Sequence, residues 1–389
     1  MRTNSRARPA VGSPALKRHR RPAWLEVSKS ALAFNCRNIK KKLGREVQLV
    51  AMVKANAYGH GAVECSKIFL KNGASRLGVA IAEEGMELRQ AGITAPILVV
   101  YPEGLGREDL ILKFNLEQVV SDIKFVRSLS RQAVRQKKTA GIYIKLDSGM
   151  GRYGLTPPEC LELARQISQL PKLKFRGLLS HFSTAFTKDK TYSHQELEKF
   201  RNTVKMLENE GIAVPIKSIA NSSAVLDLPE AYFNQARVGI LIYGIYPSPE
   251  NLRSVAVRPA ATLKARIAFL KKVPTGTPIS YYRTFHAQKD SLIATVPLGY
   301  SDGYHFSLSN KGKALLKGKA VPVVGRICMD TLMLDVTEVA NPKVGDEVVF
   351  FGSQNGSRIS LEQVAGAAGS ISYDIVTRLS RRVPIIYTK

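Results

Sequence analysis

The chain has 389 residues, 44% of them hydrophobic, and its 58 basic and 31 acidic side chains give a formal net charge of +27. A chain of this length and apolar content can bury a large core in two or three domains. No apolar run approaches the roughly 18 residues that a membrane-spanning helix needs, so we expect a soluble protein with no membrane partner. The basic excess is spread along the chain without a patch of interleaved aromatic residues, which argues against nucleic acid as the main partner.

Residues 1–22 form a basic tail that we predict to be disordered. They hold seven basic residues and no acidic one, with few large apolar side chains. They also lack the continuous apolar core of a secretory signal, and an organelle transit peptide stays open as an alternative. The 4 cysteines are scattered without a Cys-x-x-Cys pair, which favours reduced thiols, a cytoplasmic protein and no metal site.

The elements begin with a short strand at Trp24–Val27. Ser28 can then cap a helix that ends in Lys40–Lys42, because cations stabilise the last turn of a helix. Strands and helices alternate from there, and residues Thr156–Glu159 form a capping box that starts a helix over Pro158–Leu170. The predicted strands lie at 48–54, 76–80, 97–101, 117–120, 140–146, 173–180, 216–220 and 235–239, and the predicted helices include 83–91, 122–137 and 196–210.

The alternation predicts an α/β fold followed by a β domain. About eight strand–helix units in roughly 220 residues are typical of a closed parallel (β/α)8 barrel, which we place at residues 23–250. An open, doubly wound sheet is the alternative, although no Gly-x-Gly-x-x-Gly opens a helix as a dinucleotide-binding version would require. From residue 260 the chain alternates in short runs, the first at Thr262–Val273, separated by turn signals. This pattern predicts a mostly antiparallel β domain at residues 251–389.

The stretch Val53-Lys54-Ala55-Asn56-Ala57-Tyr58-Gly59-His60-Gly61 carries the first chemical signal. It places Lys54 at the carboxyl end of a predicted strand, the edge at which parallel barrels bind ligands. An unprotonated amine there can form a Schiff base, whereas the plain alternative is a solvated lysine that ends the strand. The stretch from Lys54 to Gly61 resembles the pyridoxal 5'-phosphate (PLP) lysine motif of the alanine racemase family. The later motifs resemble that family in order and spacing, from about Trp24 to Tyr387.

The resemblance implies a PLP enzyme that moves a proton at the α-carbon of an amino acid with two bases. Lys54 is the implied base on one face. Tyr281, in Pro278-Ile279-Ser280-Tyr281, is the implied base on the other face, supplied by the second subunit of a homodimer. His181 is implied to support Tyr281 through a network that includes Arg237. Arg237 is implied to face the pyridine nitrogen as a donor that keeps its proton.

The cofactor phosphate is implied to bind hydroxyl and amide donors, which are suitable ligands for an anion. One of them, in Ala220-Asn221-Ser222-Ser223, can also open a short helix, although such a sequence is found in ordinary turns as well. The implied ligands are Tyr58, Ser222, the backbone amides of Gly239 and Ile240, and Tyr373.

A second motif, from Ile144 to Arg152, carries two further implied roles. Arg152 resembles the family residue that holds the substrate carboxylate. Lys145 matches a lysine that is carbamylated in the family, a change that turns a repulsive Lys–Arg neighbourhood into an attractive pair. The backbone amide of Met329, in Arg326-Ile327-Cys328-Met329-Asp330, is implied to bind the same carboxylate from across the dimer.

The residues implied to line the entry to the site agree with the family pattern at one position and differ from it at others. Tyr300, in Gly299-Tyr300-Ser301-Asp302-Gly303, resembles a tyrosine that lines the entry corridor. Phe186 and Phe306 stand where many family members carry Asp and Arg, a polar pair that would guide a zwitterion. These departures bear on substrate range rather than on the chemistry. The residues Tyr282-Arg283 are a further departure that the sequence does not explain.

The resemblance therefore implies a PLP-dependent alanine racemase that supplies D-alanine for peptidoglycan. A racemase of other or broader range, acting on serine or basic amino acids, is the alternative that Phe186 and Phe306 favour. A decarboxylase of the same architecture would need no second base like Tyr281. A non-catalytic PLP carrier built on the same barrel would lack the β domain, and the runs after residue 260 argue against it.

Overall fold

The structure, a computed structural model, describes residues 21–389, so the predicted basic tail lies almost wholly outside the described residues. The described chain forms two compact units. One comprises Val27–Ala261 and Tyr387–Lys389, and the other comprises residues 21–26 and Thr262–Ile386. Each unit thus includes a short piece from the opposite end of the sequence. The domain boundary that we placed after residue 250 stays a prediction.

The first unit is built on parallel strands that follow one another in chain order. Within residues 21–389 the first strand is β1 (Ala23–Ser28), which belongs to a sheet of the second unit. The barrel strands are β2 (Gln48–Met52), β3 (Arg76–Val79), β4 (Ile97–Val99), β5 (Glu117–Val120), β6 (Ala140–Lys145), β7 (Leu173–Leu179), β8 (Ile216–Ser218) and β9 (Gln235–Val238). Between residues 48 and 238, these eight strands form one sheet in the order β8-β7-β6-β5-β4-β3-β2-β9, and every hydrogen-bonded pair is parallel.

The two ends of that order adjoin. Arg237 N donates to Ala220 O at 3.0 Å, and Ser218 Oγ donates to Gln235 O at 3.1 Å, so β8 lies beside β9. The sheet is therefore a nearly closed barrel, as predicted. The sequential order excludes the doubly wound alternative, whose strand order reverses at a switch point.

Helices alternate with these strands, and their starts follow the sequence signals. Ser28 Oγ accepts from Ala31 N at 3.2 Å, and Thr156 with Glu159 forms the predicted capping box. The helices of this unit are α1 (Lys29–Leu43), α2 (Lys54–Tyr58), α3 (Ala62–Lys71), α4 (Ala82–Gln90), α5 (Glu108–Lys113), α6 (Ile123–Arg135), α7 (Pro157–Ser168), α8 (Thr191–Asn209) and α9 (Ser222–Asp227), with 3₁₀ turns at Pro229–Ala231 and Ile240–Tyr243. Of these, α2 is a single turn whose backbone is left-handed at residues 55–58. Across residues 21–389 no helix is both long and apolar enough to cross a membrane.

The second unit is mostly antiparallel, as predicted. Its strands are β10 (Ala261–Arg266), β11 (Phe269–Val273), β12 (Pro278–Ile279), β13 (Phe285–His286), β14 (Ser291–Val296), β15 (Lys313–Leu316), β16 (Lys319–Pro322), β17 (Leu332–Asp335), β18 (Glu347–Gln354), β19 (Ser357–Ile359) and β20 (Ile385–Thr388), with helices α10 (Leu361–Ala368) and α11 (Ser372–Thr377). The main sheet has the order β16-β15-β18-β10-β1-β20 with β19 on β18, and smaller sheets are β11-β14-β17 and β12-β13.

The predicted run Thr262–Val273 divides between two of these sheets. Arg266 on β10 pairs with Glu347, whereas Phe269 on β11 pairs with Thr295. The apolar pattern continues through the change of sheet, so periodicity alone could not locate the break.

Gly177 shapes the pairing of the barrel strands β6 and β7. The register between them shifts after Ile142, where Tyr143 pairs with Gly177. The φ angle of Gly177 is +151°, and a Cβ at this position would lie 1.9 Å from Ile216 O on β8. Only glycine fits both the backbone angle and the close approach of the neighbouring strand.

We predict that Gly177→Ala destabilises the barrel by about 2–4 kcal/mol, because the added Cβ must push β8 away from β7 in an unfavourable backbone conformation. Denaturant unfolding would measure the loss. Gly104→Ala is the matched control, since a Cβ there meets nothing within 4 Å. Equal free energies of unfolding for the two variants would contradict the prediction.

Candidate active site

Lys54 lies just after β2 and begins a turn of left-handed backbone. Residues 55–58 have φ angles between 50° and 54°. This conformation costs roughly 1–2 kcal/mol for each residue other than glycine, so the turn needs support from outside. Asn56 Oδ1 accepts from Ala62 N at 2.9 Å, and Glu84 Oε1 accepts from Ala55 N at 2.6 Å. The backbone that carries Lys54 is thus held from both ends of the turn.

Tyr101, just after β4, lies between Lys54 and a second cation. Lys54 Nζ donates to Tyr101 Oη at 3.4 Å. The guanidinium carbon of Arg152 lies 5.2 Å from the centre of the Tyr101 ring, within the range of a cation–π contact. Tyr153 packs against the same ring at 5.5 Å. One aromatic side chain therefore brings Lys54 and Arg152 together.

Arg237, on β9, is buried and donates to a hydroxyl, a histidine and backbone carbonyls around it. Nη1 donates to Ser218 Oγ at 2.6 Å, and Nη2 donates to Ser180 O at 2.6 Å and to His181 Nδ1 at 3.2 Å. Because a guanidinium can only donate, Nδ1 accepts and the proton of a neutral His181 lies on Nε2. Burial lowers the pKa of Arg237 to about 9, which leaves it charged at neutral pH. Burial, followed by the charges of Arg237 and Lys145, holds the pKa of His181 well below its usual value.

Lys145 ends β6 with a side chain that is 6% exposed. Burial, followed by the charges of Arg237 and Arg152, holds the pKa of Lys145 well below its usual value, while Asp147 acts in the opposite direction. The carboxylate of Asp147 accepts hydrogen bonds from the backbone amides of residues 149–151 at 2.9–3.1 Å. These hydrogen bonds tie the carboxylate of Asp147 to its own loop. The charges that act most strongly on Lys145 are therefore positive.

Hydroxyl and amide donors converge where β8 and β9 end. Ser222 begins α9, and its Oγ accepts from Gly239 N at 2.9 Å. A Cβ on Gly239 would lie 2.3 Å from Tyr58 Oη, so the missing side chain lets the tyrosine hydroxyl approach the backbone. Ile240 follows with a buried side chain. These groups form a cradle of the kind that binds a small anion.

The remaining predicted site residues, apart from Phe186, belong to the second unit. Ser301 N donates to Met329 O at 3.0 Å, and Ser280 Oγ donates to Arg326 O at 2.6 Å, so three loops of this unit are joined by hydrogen bonds. Phe186 is exposed on the loop after β7. The residues of the second unit are Tyr281, Tyr300, Phe306, Met329 and Tyr373.

Asp302 secures the loop that carries Tyr300. Its side chain is fully buried, and it accepts from Gly299 N at 3.0 Å. It also pairs with Arg21, and with Arg382 at 3.3 Å. Paired in this way, the buried carboxylate avoids the cost of an isolated charge.

Comparison with known proteins decides the family. The family model of the alanine racemase N-terminal domain matches residues 27–247, and that of the alanine racemase C-terminal domain matches residues 260–387. The chain belongs to the alanine racemase family. Members of this family are isomerases that use PLP.

Individual relatives match nearly the whole chain. An alanine racemase of Clostridium perfringens (strain SM101 / Type A) is 43% identical over 371 residues, which cover 95% of this chain and 96% of the relative. The structure of alanine racemase from Clostridium difficile 630 has a TM-score of 0.90 at 35% identity and covers 94% of this chain and 96% of its own. That of alanine racemase from Bacillus anthracis with bound L-Ala-P has a TM-score of 0.89 at 34% identity, with coverage of 95% and 96%.

The residues of the first unit fit the cofactor of the alanine racemase family. Lys54 offers an amine at the carboxyl edge of the barrel, and the cradle of Tyr58, Ser222 and Gly239 offers donors for a phosphate. Arg237 offers a buried donor that stays charged. The structure therefore brings these predicted residues together in one unit. Their individual roles, and those of the residues in the second unit, stay predictions.

Two residues of this site were not found from the sequence. Tyr101 ends a run that we assigned to a strand, and its place at the carboxyl end of that strand was the available signal. Glu84 stands beside Glu83 at the start of a helix, and nothing in the sequence separates the two acids. Their contacts arise from the adjacency of parallel strands, which no local motif records.

His60 stabilises the left-handed turn through a hydrogen bond to the last residue of the turn. It is fully buried, its ring lies 4.6 Å from that of Tyr243, and Nδ1 donates to Tyr58 O at 2.8 Å. Burial lowers the pKa of His60 from 6.5 to about 4. A folded state with a lowered histidine pKa loses stability as the pH falls, because the unfolded chain takes up the proton first.

We predict that the free energy of unfolding falls between about pH 6.5 and pH 4, with His60 contributing about 1.4 kcal/mol per pH unit. His60→Gln removes this contribution, so its stability should depend less steeply on pH than that of the wild type. Denaturant unfolding at several pH values would measure the slope. His194→Gln, at an exposed surface position, is the matched control for replacing a histidine by glutamine. An unchanged slope in His60→Gln would refute the assignment.

Proposed function

We propose that the protein interconverts L- and D-alanine with PLP bound through Lys54, in a homodimer with shared active sites. The observation that carries this proposal is the cluster at the carboxyl edge of the barrel. There the amine of Lys54 and the guanidinium of Arg152 both contact Tyr101, in a unit that also holds the His181–Arg237 pair. In this cluster Lys54 offers a base for one face of the α-carbon, and Arg152 offers a cation that can bind a carboxylate.

The cofactor would be held by groups at the ends of β2, β8 and β9. When bound, PLP supplies an aldehyde that bonds covalently to amines and a ring that delocalises the electron pair left at a deprotonated α-carbon. Tyr58, Ser222 and the amides of Gly239 and Ile240 would hold its phosphate. Tyr373, the fifth predicted ligand, belongs to the second unit, and burial raises the pKa of its hydroxyl, which keeps it a neutral donor.

Arg237 would act as a donor that keeps its proton. Its pKa of about 9 lies well above neutral pH, and its other N–H groups are directed to Ser218 and the backbone of Ser180. A ring nitrogen facing it would accept a hydrogen bond without being protonated. The ring is then a weaker electron sink, which disfavours side reactions such as transamination.

Racemisation needs one base on each face of the α-carbon. We assign Lys54 to one face and Tyr281 of the partner subunit to the other. Arg152 would hold the substrate carboxylate together with the backbone amide of Met329 of the partner subunit. Tyr281 is 66% exposed and Met329 is 53% exposed, which leaves both accessible to a second copy of the chain.

Lys145 would orient Arg152 as a carbamate. Its lowered pKa favours the neutral amine, which can attack carbon dioxide. A bond forms between Nζ and the carbon of carbon dioxide as one C–O π bond breaks, one N–H proton leaves to solvent, and the neutral amine becomes an anion. The anion would pair with Arg152 and replace the repulsion between the two side chains by attraction.

The enzyme would work in the cytoplasm and supply D-alanine for peptidoglycan. All cysteines within residues 21–389 are free thiols, and Cys36, Cys65 and Cys160 are buried, as suits a reducing compartment.

The experiment that tests this function is D-alanine formation from L-alanine by the purified protein with added PLP. Conversion to a racemic mixture would support the proposal, and absence of conversion by PLP-loaded protein would refute it. The same assay with L-serine and L-lysine tests a broader range. Phe186 and Phe306, which are 48% and 46% exposed, favour that second candidate because apolar side chains replace a polar pair.

We predict that Tyr281→Phe lowers kcat by roughly 10²–10⁴-fold, because the variant lacks the hydroxyl that moves the proton on one face. D-alanine formation from L-alanine would measure the loss. Tyr282→Phe is the matched control, since its side chain is 81% exposed and its ring, retained in the variant, packs on Arg326. Equal rates for wild type and Tyr281→Phe would rule out the two-base assignment.

We predict that a crystal structure shows electron density for a carboxylate group on Lys145 Nζ. Removal of carbon dioxide should lower the activity, and added bicarbonate should restore it. Lys190, which pairs with Asp227 at 2.7 Å, is the internal control and should show an unmodified amine. Well-ordered density for an unmodified Lys145 would refute the carbamate proposal.

A further inference from the structure

The carboxylate of Glu84 joins two turns at the carboxyl edge of the barrel. Oε1 accepts from Ala55 N at 2.6 Å, and Oε2 accepts from Ala80 N at 2.7 Å. Ala55 directly follows Lys54, whereas Ala80 follows β3. One side chain on α4 therefore fixes the backbone after two neighbouring strands, and one of its contacts is to the residue next to the proposed reactive lysine.

The turn that begins at Lys54 depends on such contacts. Left-handed backbone is unfavourable for residues other than glycine, and residues 55–58 are Ala, Asn, Ala and Tyr. The contacts of Asn56 with Ala62 and of Tyr387 Oη with His60 O hold the far end of the turn. The contact from Glu84 is made at its lysine end, and a charged acceptor makes it one of the stronger hydrogen bonds.

A capping role at the start of α4 explains only one of the two hydrogen bonds of Glu84, the one from Ala80. Glu84 lies in the first turn of α4, and its bond to Ala80 resembles the local capping contacts of many helices. The helix start has another ligand as well, because Ala82 N donates to Glu103 Oε1 at 2.8 Å. The bond to Ala55 crosses to another element and contributes nothing to the cap.

We propose that Glu84 is a positioning residue for Lys54: through Ala55 N it holds the backbone from which the lysine amine reaches the cofactor and the substrate. This inference rests on the proposed function, in which Lys54 is the reactive lysine. Glu84 touches neither ligand and acts through the turn alone. Its loss therefore slows every step that needs the amine in place, without changing how the substrate carboxylate is held.

The neighbouring Glu83 offers a matched control on the same helix turn. Its carboxylate pairs with Arg107 near the surface. Glu83→Gln removes an acidic charge one residue away, so it reproduces the change in charge and leaves both Glu84 contacts intact.

The test measures how fast the apoenzyme takes up PLP, followed by the visible absorbance that appears when a lysine amine bonds to the PLP aldehyde. We expect Glu84→Ala to slow this uptake about tenfold, the scale of one hydrogen bond to a charged acceptor. Its kcat should fall by a similar factor, and the KM for alanine should change less than about twofold. Glu84→Gln should lie between, because its amide keeps one accepting oxygen and presents an N–H group to the other amide. Glu83→Gln should match the wild type.

Two outcomes would overturn the inference. One is wild-type uptake and kcat in both Glu84 variants with a lowered Tm, which would make Glu84 a helix cap only. The other is equal slowing in Glu83→Gln, which would assign the effect to charge. If Glu84→Ala does not fold, the comparison of Glu84→Gln with Glu83→Gln decides between these outcomes. Wild-type protein that neither takes up PLP nor racemises alanine would overturn the proposed function and this inference together.

Discussion

Several basic side chains lie buried close together at the carboxyl edge of the barrel, and the first unit must stabilise them there. A buried cation costs several kcal/mol unless it is paired or loses its proton. Arg237 keeps its charge by donating to neutral acceptors, whereas Lys145 and His181 respond through lowered pKa values. Asp147, the acid that could neutralise Lys145, is bound to loop amides instead. An edge with these properties gains from anions, so it suits a ligand that carries a phosphate and a substrate that carries a carboxylate.

The backbone at this edge also adopts an unfavourable conformation that its surroundings stabilise. Left-handed turns of non-glycine residues persist only where the surroundings hold them, and they are concentrated at functional sites. Here the turn after Lys54 is held by a carboxylate, an amide side chain and a buried histidine. Its conformational energy is thus balanced by contacts that also restrict where the lysine side chain can reach. The strained turn and the buried charges lie at the ends of different strands, and the regular barrel provides the rigidity that both require.

Much of this fold could be predicted from the sequence, because parallel strands buried on both faces appear as apolar runs with helices between them. Each barrel strand lies within its predicted run, and Lys54, Arg152 and Arg237, to which the motifs drew attention, lie in one unit while their roles stay predictions. The left-handed turn could not be predicted, since Ala55 and Ala57 favour right-handed helix. Tyr101 and Glu84 could not be assigned either, because their partners are distant in sequence. The division of the run at 262–273 depends on which sheet each half joins, and that is decided by strands formed elsewhere.

The place of β1 in the second unit has a consequence for how the protein is made. This strand precedes every barrel strand along the chain, yet it lies between β10 and β20 in the main sheet. At about 5–20 residues per second, β10 leaves the ribosome roughly 10–50 s after β1. The barrel helices and strands are complete by then, whereas β1 waits with unpaired backbone groups. Translation therefore favours a barrel that forms first, and β1 can join its sheet only when β10 and β20 have left the ribosome.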